Sequence, residues 1–290
     1  MKAAPFDHHA PETVAEAAAL LAEFGDEAKV LAGGQSLLPL LSLRLTRFEH
    51  LVDVHRVAEL HGITRTDDAL RVGAATLQAE AEHDAVVAAA VPLLARALPH
   101  IGHFQIRNRG TVGGSLAHAD PASELPTVAL TLGATFEAAS VRGTREIAAD
   151  DFFTGTWSTA LAEDEILVGT RFPVWAGRTG YGFAEVARRH GDFALAGVAA
   201  AVALDADDRI TRVAVGMLGV GATPVRAGAA EVALLGTAPD AAAVTEAARA
   251  GMAALEPADD LHATGAYRRR VGAHLMETAL GAAIEEARRG

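Results

Sequence analysis

Two short segments of the sequence contain residue types that suit a phosphate group. Residues 32–36 (AGGQS) and 111–115 (TVGGS) each place two glycines after a β-prone stretch and before a hydroxyl or amide side chain. Paired glycines allow positive φ and a close approach of the backbone to a ligand. Consecutive N–H groups suit a phosphate, and Ser36, Thr111 and Ser115 add hydroxyl donors. Either segment alone is compatible with an ordinary glycine turn. The presence of two such segments, each at a strand end in a separate lobe, predicts that a pyrophosphate binds between them.

Neither segment is a standard nucleotide-binding fingerprint. The sequence contains no G-x-x-x-x-G-K-[ST] motif and no G-x-G-x-x-G motif after a strand, which argues against a P-loop and a Rossmann turn. It also lacks G-x-S-x-G, which argues against an α/β-hydrolase nucleophile. We therefore predict no catalytic residue of these classes.

Histidine groups and one polar turn are the other candidates for chemistry. Histidines cluster at His8-His9, at His100-x-x-His103 and at His118-x-Asp120, but the sequence has no cysteine and no H-E-x-x-H motif. Loop-anchoring histidines explain these groups better than metal ligands do, so we predict no metal site. Residues 188–195 (RRHGDFAL) read either as a polar turn with Phe193 in the core, or as an aromatic and a carboxylate beside a planar cofactor.

The composition excludes several classes of function. The chain has 290 residues, 25 Lys+Arg against 37 Asp+Glu and a net charge of −12, which argues against a nucleic-acid-binding protein. The absence of cysteine excludes disulfides, thiolate catalysis and iron–sulfur clusters within this chain. The longest apolar run, residues 193–204, is too short to cross a bilayer of about 30 Å. We expect a cytoplasmic protein without a transmembrane segment.

The elements that position these segments predict an α+β fold in three parts. Residues 1–56 alternate strands and helices, with a capping box at Thr13 and Glu16. Residues 57–173 contain a strand pair, a helix over 85–98, a loop over 100–108, a helix begun at Pro121 or Ser123, and further strands. Residues 173–180, rich in glycine and proline, are the best linker candidate, and 174–290 form antiparallel strands followed by helices.

The two glycine segments, taken with their flanks, resemble one family. Residues 32–39 (AGGQSLLP) and 106–126 (IRNRGTVGGSLAHADPASELP) are similar to the FAD-binding medium subunit of molybdenum hydroxylases, the family of aerobic carbon monoxide dehydrogenase and the xanthine dehydrogenase flavin domain. Residues 188–195 and 223–226 extend the resemblance over essentially the whole chain. It implies a two-lobed PCMH-type FAD-binding domain followed by a C-terminal flavoprotein domain.

The resemblance also implies a set of FAD-binding residues. Backbone N–H groups of the two segments would hold the pyrophosphate, Ile101 would pack on the flavin or adenine, and Leu167 would meet the adenine. Glu124 stands where relatives often carry Asp, and Phe193 where one branch carries a Tyr that is stacked by the isoalloxazine. The full set is Lys29, Leu31, Ala32, Gly33, Gly34, Gln35, Ser36, Leu37, Ile101, Thr111, Val112, Gly113, Gly114, Ser115, Asp120, Glu124, Ile166, Leu167, Asp192 and Phe193.

The function implied by the resemblance is electron transfer within a larger complex. FAD in this chain would take electrons from 2Fe–2S clusters of a small subunit and pass them to an external acceptor. A large subunit would carry the molybdenum–pterin cofactor, and the complex would be a dimer of heterotrimers. The alternatives are a self-contained FAD oxidoreductase of the same fold and a flavin-free assembly scaffold.

Overall fold

Residues 2–290 are described by a computed structural model, and the first lobe is built on a small parallel sheet. Its elements are β1 (Asp7–His9), α1 (Val14–Phe24), β2 (Ala28–Leu31), α2 (Leu37–Leu43) and β3 (His50–Asp53). The strand order is β1-β3-β2, and both pairs are parallel. Thr13 and Glu16 form the predicted capping box, and Gly25, at φ 52°, ends α1.

The second lobe is built on an antiparallel sheet with the order β4-β5-β10-β6-β7. Its strands are β4 (Ile63–Arg65), β5 (Ala69–Gly73), β6 (Thr135–Ser140), β7 (Gly143–Ala148), β8 (Phe153–Gly155), β9 (Ser158–Thr159) and β10 (Ile166–Pro173). Its helices are α3 (Gln78–His83), α4 (Ala85–Ala90), α5 (Pro92–Ala97), α6 (Phe104–Arg107), α7 (Val112–His118), α8 (Glu124–Leu132) and α9 (Ala149–Phe152). The core between sheet and helices contains the stacked rings of Phe136 and Phe152.

Three predictions for this lobe are wrong in detail. The predicted helix over 85–98 is two helices, because Pro92 lacks an N–H and pushes Val91 to φ −136° and ψ 69°. The predicted loop over 100–108 contains α6. The second glycine pair follows no strand, since Thr111 makes only an isolated bridge to Leu77 and the glycines lie in the first turn of α7.

The C-terminal part is a four-stranded antiparallel sheet with helices. Its elements are β11 (Arg178–Val186), β12 (Ala196–Leu204), β13 (Ile210–Leu218), β14 (Val225–Arg226), α10 (Gly228–Leu234), α11 (Ala241–Ala253) and α12 (Gly265–Arg289). The long helix α12 crosses one face of the sheet, where a Cβ on Gly180 or Gly182 would strike the α12 backbone. The predicted antiparallel sheet plus helices is confirmed.

The other face of this sheet packs against the second lobe. A Cβ on Gly216 of β13 would strike Thr131 and lie 3.2 Å from Thr127 Cγ2, both on α8. Of the predicted linker, only residues 174–177 lie outside strands. Trp175 there is 7% exposed, and its ring stacks 3.8 Å beneath the Arg212 guanidinium. The C-terminal sheet is therefore packed on both faces. It contacts the second lobe directly, and the segment that connects the two is short and partly buried.

Candidate cofactor-binding site

The first glycine segment forms an open turn between β2 and α2. Gly34 has φ +72°, which lets its carbonyl accept a hydrogen bond from Leu38 N at 3.1 Å. The Gln35 amide folds back to donate to the Gly33 carbonyl at 3.2 Å. Within residues 2–290, the backbone N–H groups of residues 33–36 donate to no protein acceptor. Four successive donors at one turn form a concave surface for an anion.

The second glycine segment is closed by hydrogen bonds within the chain. Val112 N donates to Thr76 O, Gly113 N donates to Ala74 O, and Gly114 N donates to Thr111 Oγ1, each at 2.9 Å. Thr111 is thereby the N-cap of α7. Four of the five expected backbone donors of this segment, the amides of residues 112–115, are therefore engaged already. What it presents to a ligand are hydroxyls, the Thr111 O–H hydrogen and the side chain of Ser115.

The two segments touch each other. A Cβ on Gly33 would overlap the Arg109 carbonyl oxygen and lie 2.7 Å from Gly110 Cα, just before the second segment. A Cβ on Gly114 would lie 3.3 Å from Ala32 Cβ. Glycine at position 33 is therefore required for the close approach, and the amides of the first segment and the hydroxyls of the second share one surface.

The turn that contains Phe193 packs against the loop that follows Ile101. Gly191, at φ +83°, packs so closely on the next loop that a Cβ would lie 2.9 Å from His103 Cε1 and 3.0 Å from the Gly102 carbonyl carbon. Leu195 N closes this turn by donating a hydrogen bond to Val186 O at 2.7 Å. Phe193 in this turn is 59% exposed, whereas Ile101, next to Gly102 in the facing loop, is 9% exposed. The reading of Phe193 as a core residue is wrong, and an exposed aromatic face remains.

Two carboxylates of the predicted set lie in contrasting surroundings. Asp192 is the neighbour of Phe193, and its Oδ2 is buried without a partner in the described residues, 3.9 Å from Arg188. Glu124, 6% exposed, begins α8, and burial with the neighbouring charge of Glu185 raises its pKa to about 8. A carboxyl that holds its proton at neutral pH can donate a hydrogen bond.

Asp120 is held by a residue that the sequence analysis missed. The Trp157 indole Nε1 donates to Asp120 Oδ2 at 3.0 Å, and Trp157 is 62% exposed at φ +57°. The same turn places the indole parallel to the His118 ring. Burial lowers the pKa of His118, against the opposing effect of Asp120.

The other predicted residues lie further from the shared surface or inside the cores. Lys29 is exposed on β2, with its Nζ 5.8 Å from the centre of the Phe48 ring. Leu31 packs beneath Gly34, and Leu37 begins α2. Ile166 and Leu167, 2% and 6% exposed, belong to two different hydrophobic cores. Their predicted contact with adenine stays a prediction.

Comparison with known proteins identifies the family. Residues 4–175 match the family described as the FAD binding domain in molybdopterin dehydrogenase, and residues 181–283 match the CO dehydrogenase flavoprotein C-terminal domain. The first match covers more than half of the chain. The chain belongs to this family of FAD-binding subunits. The resemblance, the α+β fold and the class of oxidoreductase subunit are thereby confirmed.

Individual relatives span nearly the whole chain. The carbon monoxide dehydrogenase medium chain of Hydrogenophaga pseudoflava is 38% identical over 96% of both chains. The 6-hydroxypseudooxynicotine dehydrogenase complex subunit alpha of Paenarthrobacter nicotinovorans is 38% identical over 99% of this chain and 97% of its own.

Solved structures give the same result. Carbon monoxide dehydrogenase from H. pseudoflava, in a form lacking the Mo-pyranopterin moiety, superposes with a TM-score of 0.96 at 39% identity over 99% of both chains. Quinoline 2-oxidoreductase from Pseudomonas putida 86 gives 0.94 at 36% identity, also over 99% of both chains. FAD in this chain, with molybdenum–pterin and iron–sulfur cofactors in partner subunits only, is the cofactor assignment that these findings support.

The groups needed for FAD binding are present. Open amides and hydroxyls suit the pyrophosphate, and the exposed Phe193 ring suits a planar ring system. Within residues 2–290, no group of three or more His, Cys, Asp or Glu residues is arranged to hold a metal ion. No helix of the described chain is long and apolar enough to span a membrane.

Proposed function

We propose that this chain carries electrons through FAD, from 2Fe–2S clusters of a small partner subunit to an external acceptor. The observation that carries the proposal is the close contact of the two glycine segments, of which the first has four open amides and the second the hydroxyls of Thr111 and Ser115. Such an arrangement matches a pyrophosphate better than a single phosphate, because donors approach from two lobes. The names of the relatives, medium chains of dehydrogenase complexes, support the same role.

Each group of residues has a distinct part in holding FAD. The amides of 33–36, with the hydroxyls of Ser36, Thr111 and Ser115, bind the pyrophosphate. Ile101 and Phe193 contact the ring system, and Asp192 sets its electrostatic surroundings. Asp120 and Glu124 lie where hydroxyl groups of the cofactor are expected, and Lys29 adds positive charge on the adjacent strand.

Electron transfer is the chemistry that FAD supplies when bound, and the protein supplies its placement and electrostatics. No side chain of this chain then needs to act as a nucleophile or as a general acid or base on a substrate. This agrees with the absence of a nucleophile motif from the sequence. Substrate oxidation belongs to a molybdenum-containing large subunit in this proposal.

The assembly follows from the same role. We propose a dimer of heterotrimers in the cytoplasm, with FAD-binding lobes over 1–56 and 57–173 and a C-terminal domain over 174–290. The two family matches, over residues 4–175 and 181–283, support a division of the chain near residue 174.

Native purification tests the proposal. The chain is expected to co-purify with an iron–sulfur protein and a molybdenum protein, and the complex is expected to show oxidised-flavin absorbance. After substrate is added, rapid mixing should show iron–sulfur reduction before flavin bleaching. A flavin-free complex would support a scaffold instead. A lone monomer that turns over a small alcohol or acid would support a self-contained oxidoreductase.

A further inference from the structure

Two buried carboxyl groups face each other where the second lobe meets the C-terminal sheet. Along β11, Gly180 and Gly182 face α12, so the odd-numbered residues, including Glu185, face the second lobe. Glu185 pairs in register with Gly197, and Gly197 pairs with Leu218.

Helix α8 runs over the same edge of the sheet. Its Thr127 packs on Gly216, and the preceding Pro121 carbonyl accepts a hydrogen bond from Gly219 N at 2.9 Å. Glu124 lies in the chain between these two anchors, and the nearby charge of Glu185 acts on its carboxyl group. Glu124 is 6% exposed, and the Glu185 side chain is 8% exposed.

One histidine connects this pair to solvent. His100 Nδ1 lies 3.2 Å from Glu185 Oε1, and the His100 side chain is 39% exposed. The other oxygen, Glu185 Oε2, is buried and has no hydrogen-bond partner in the described chain. The three groups form a short path from water to a buried carboxyl pair.

The surrounding charges do not neutralise the pair. Asp120 adds negative charge from the turn before α8, and burial and Glu185 already raise the pKa of Glu124. Arginines of the adjoining segments are paired with other carboxylates, Arg107 with Glu82 at 2.6 Å, Arg188 with Asp192 at 3.9 Å and Arg268 with Asp260 at 2.5 Å. Burial and the charge of Glu185 therefore favour the protonated form of the Glu124 carboxyl at neutral pH.

All three groups adjoin the candidate cofactor site. His100 precedes Ile101, Glu124 is itself a predicted binding residue, and Glu185 precedes Val186, which closes the Phe193 turn. Negative charge that arrives on a nearby cofactor raises the proton affinity of groups in low-dielectric surroundings.

We propose that Glu124, Glu185 and His100 form a redox-linked proton site. When reduced iron–sulfur clusters of a partner pass two electrons to the flavin, a second proton moves from solvent through the His100 imidazole to the carboxyl pair, in addition to the one that Glu124 already holds. No bond to the flavin forms in this step. The proton returns to solvent when an external acceptor removes the electrons. This inference rests on the proposed function.

The first test measures the midpoint potential of FAD against pH in the flavin-loaded full-length chain. Wild type should take up one more proton per two electrons than Glu185→Gln, whereas Glu163→Gln, at an exposed carboxylate, should behave as wild type. His100→Asn cannot relay a proton, so it should also lack the additional proton uptake per two electrons. It replaces Glu185→Gln in the test if that variant does not fold. Equal pH slopes in wild type and the folded variant would overturn the inference. Wild type without FAD would instead overturn the proposed function.

A second test needs no flavin. The native chain binds more protons than the unfolded chain between the ordinary Glu pKa of 4.5 and about 8, so its free energy of unfolding should fall as pH rises through this range. Glu124→Gln cannot titrate there and should lose this fall. Parallel curves for wild type and Glu124→Gln would show that no proton is held at the pair.

Discussion

The two glycine segments look alike in sequence and are used in opposite ways. In the first, the amides of residues 33–36 are open, whereas in the second the amides of Val112, Gly113 and Gly114 are bonded to Thr76, Ala74 and Thr111. The first segment therefore offers backbone donors, and the second offers hydroxyls from a rigid helix start. Both pairs allow close packing, at Gly33 and at Gly113, and only the first leaves its amides open.

Among the variants that test this difference between the two segments, Gly33→Val should have the largest effect. The new side chain would overlap the Arg109 carbonyl and push the two segments apart, because the obstacle is backbone and cannot rotate away. We expect bound FAD to fall below about a tenth of wild type and stability to fall by about 3 kcal/mol. Flavin absorbance after desalting and urea unfolding measure both. Gly228→Val, where a Cβ meets nothing within 4 Å, is the control. Normal FAD content in Gly33→Val would refute the contact.

Thr111→Val tests the hydroxyl side of the comparison. The variant loses the α7 cap, worth about 1 kcal/mol of stability, and a donor to the pyrophosphate, so FAD affinity should fall about tenfold. Thr264→Val removes the equivalent cap of α12 and is a matched control. It should lose similar stability with unchanged FAD affinity. If both variants bind FAD equally well, the Thr111 hydroxyl has no part in binding.

Ser115→Ala isolates binding from stability. The Ser115 hydroxyl has no partner within the described chain, so its loss should leave the free energy of unfolding within about 0.5 kcal/mol of wild type. FAD affinity, measured by titration of the flavin-free chain, should fall about fivefold to tenfold. Ser158→Ala, whose hydroxyl donates to Thr156 O, provides a control with no effect on FAD. Unchanged affinity in Ser115→Ala would remove this hydroxyl from the site.

Gly34→Ala should have the smallest effect. The methyl group would meet only side chains, Leu38 at 2.9 Å and Leu31 at 3.4 Å, which can move, and the main cost is an L-residue at φ +72°. We expect a loss of about 1 kcal/mol in stability and near-normal FAD content. A loss as large as that of Gly33→Val would mean that the turn itself, rather than the contact with Arg109, is the critical feature.

Local patterns were sufficient for much of the fold. The Thr13–Glu16 capping box, the glycine stop of α1 and the start of α8 after Ser123 all depend on neighbours within one helical turn. The break at Pro92 was also a local signal, given by the restriction on the residue before proline, and it was missed.

The site depends on contacts that no local pattern contains. The Thr76 and Ala74 carbonyls that close the second segment come from a distant part of the chain. The position of Glu185 follows from the register of β11 with β12 and from which face α12 covers. Its signal in the sequence was a single acid among the small and apolar residues of β11. Trp157 gave no local signal, because its role depends on the turn that brings it to Asp120.

Residue-resolved hydrogen exchange with and without FAD tests the central claim most directly. The amides of residues 33–36 should exchange fast in the flavin-free chain and become protected when FAD binds, because the cofactor gives them acceptors. The amides of Val112, Gly113 and Gly114 should be protected in both states, because their acceptors are within the chain. Protection that appears in the second segment only on FAD binding, or that never appears in the first, would contradict the assignment of donors.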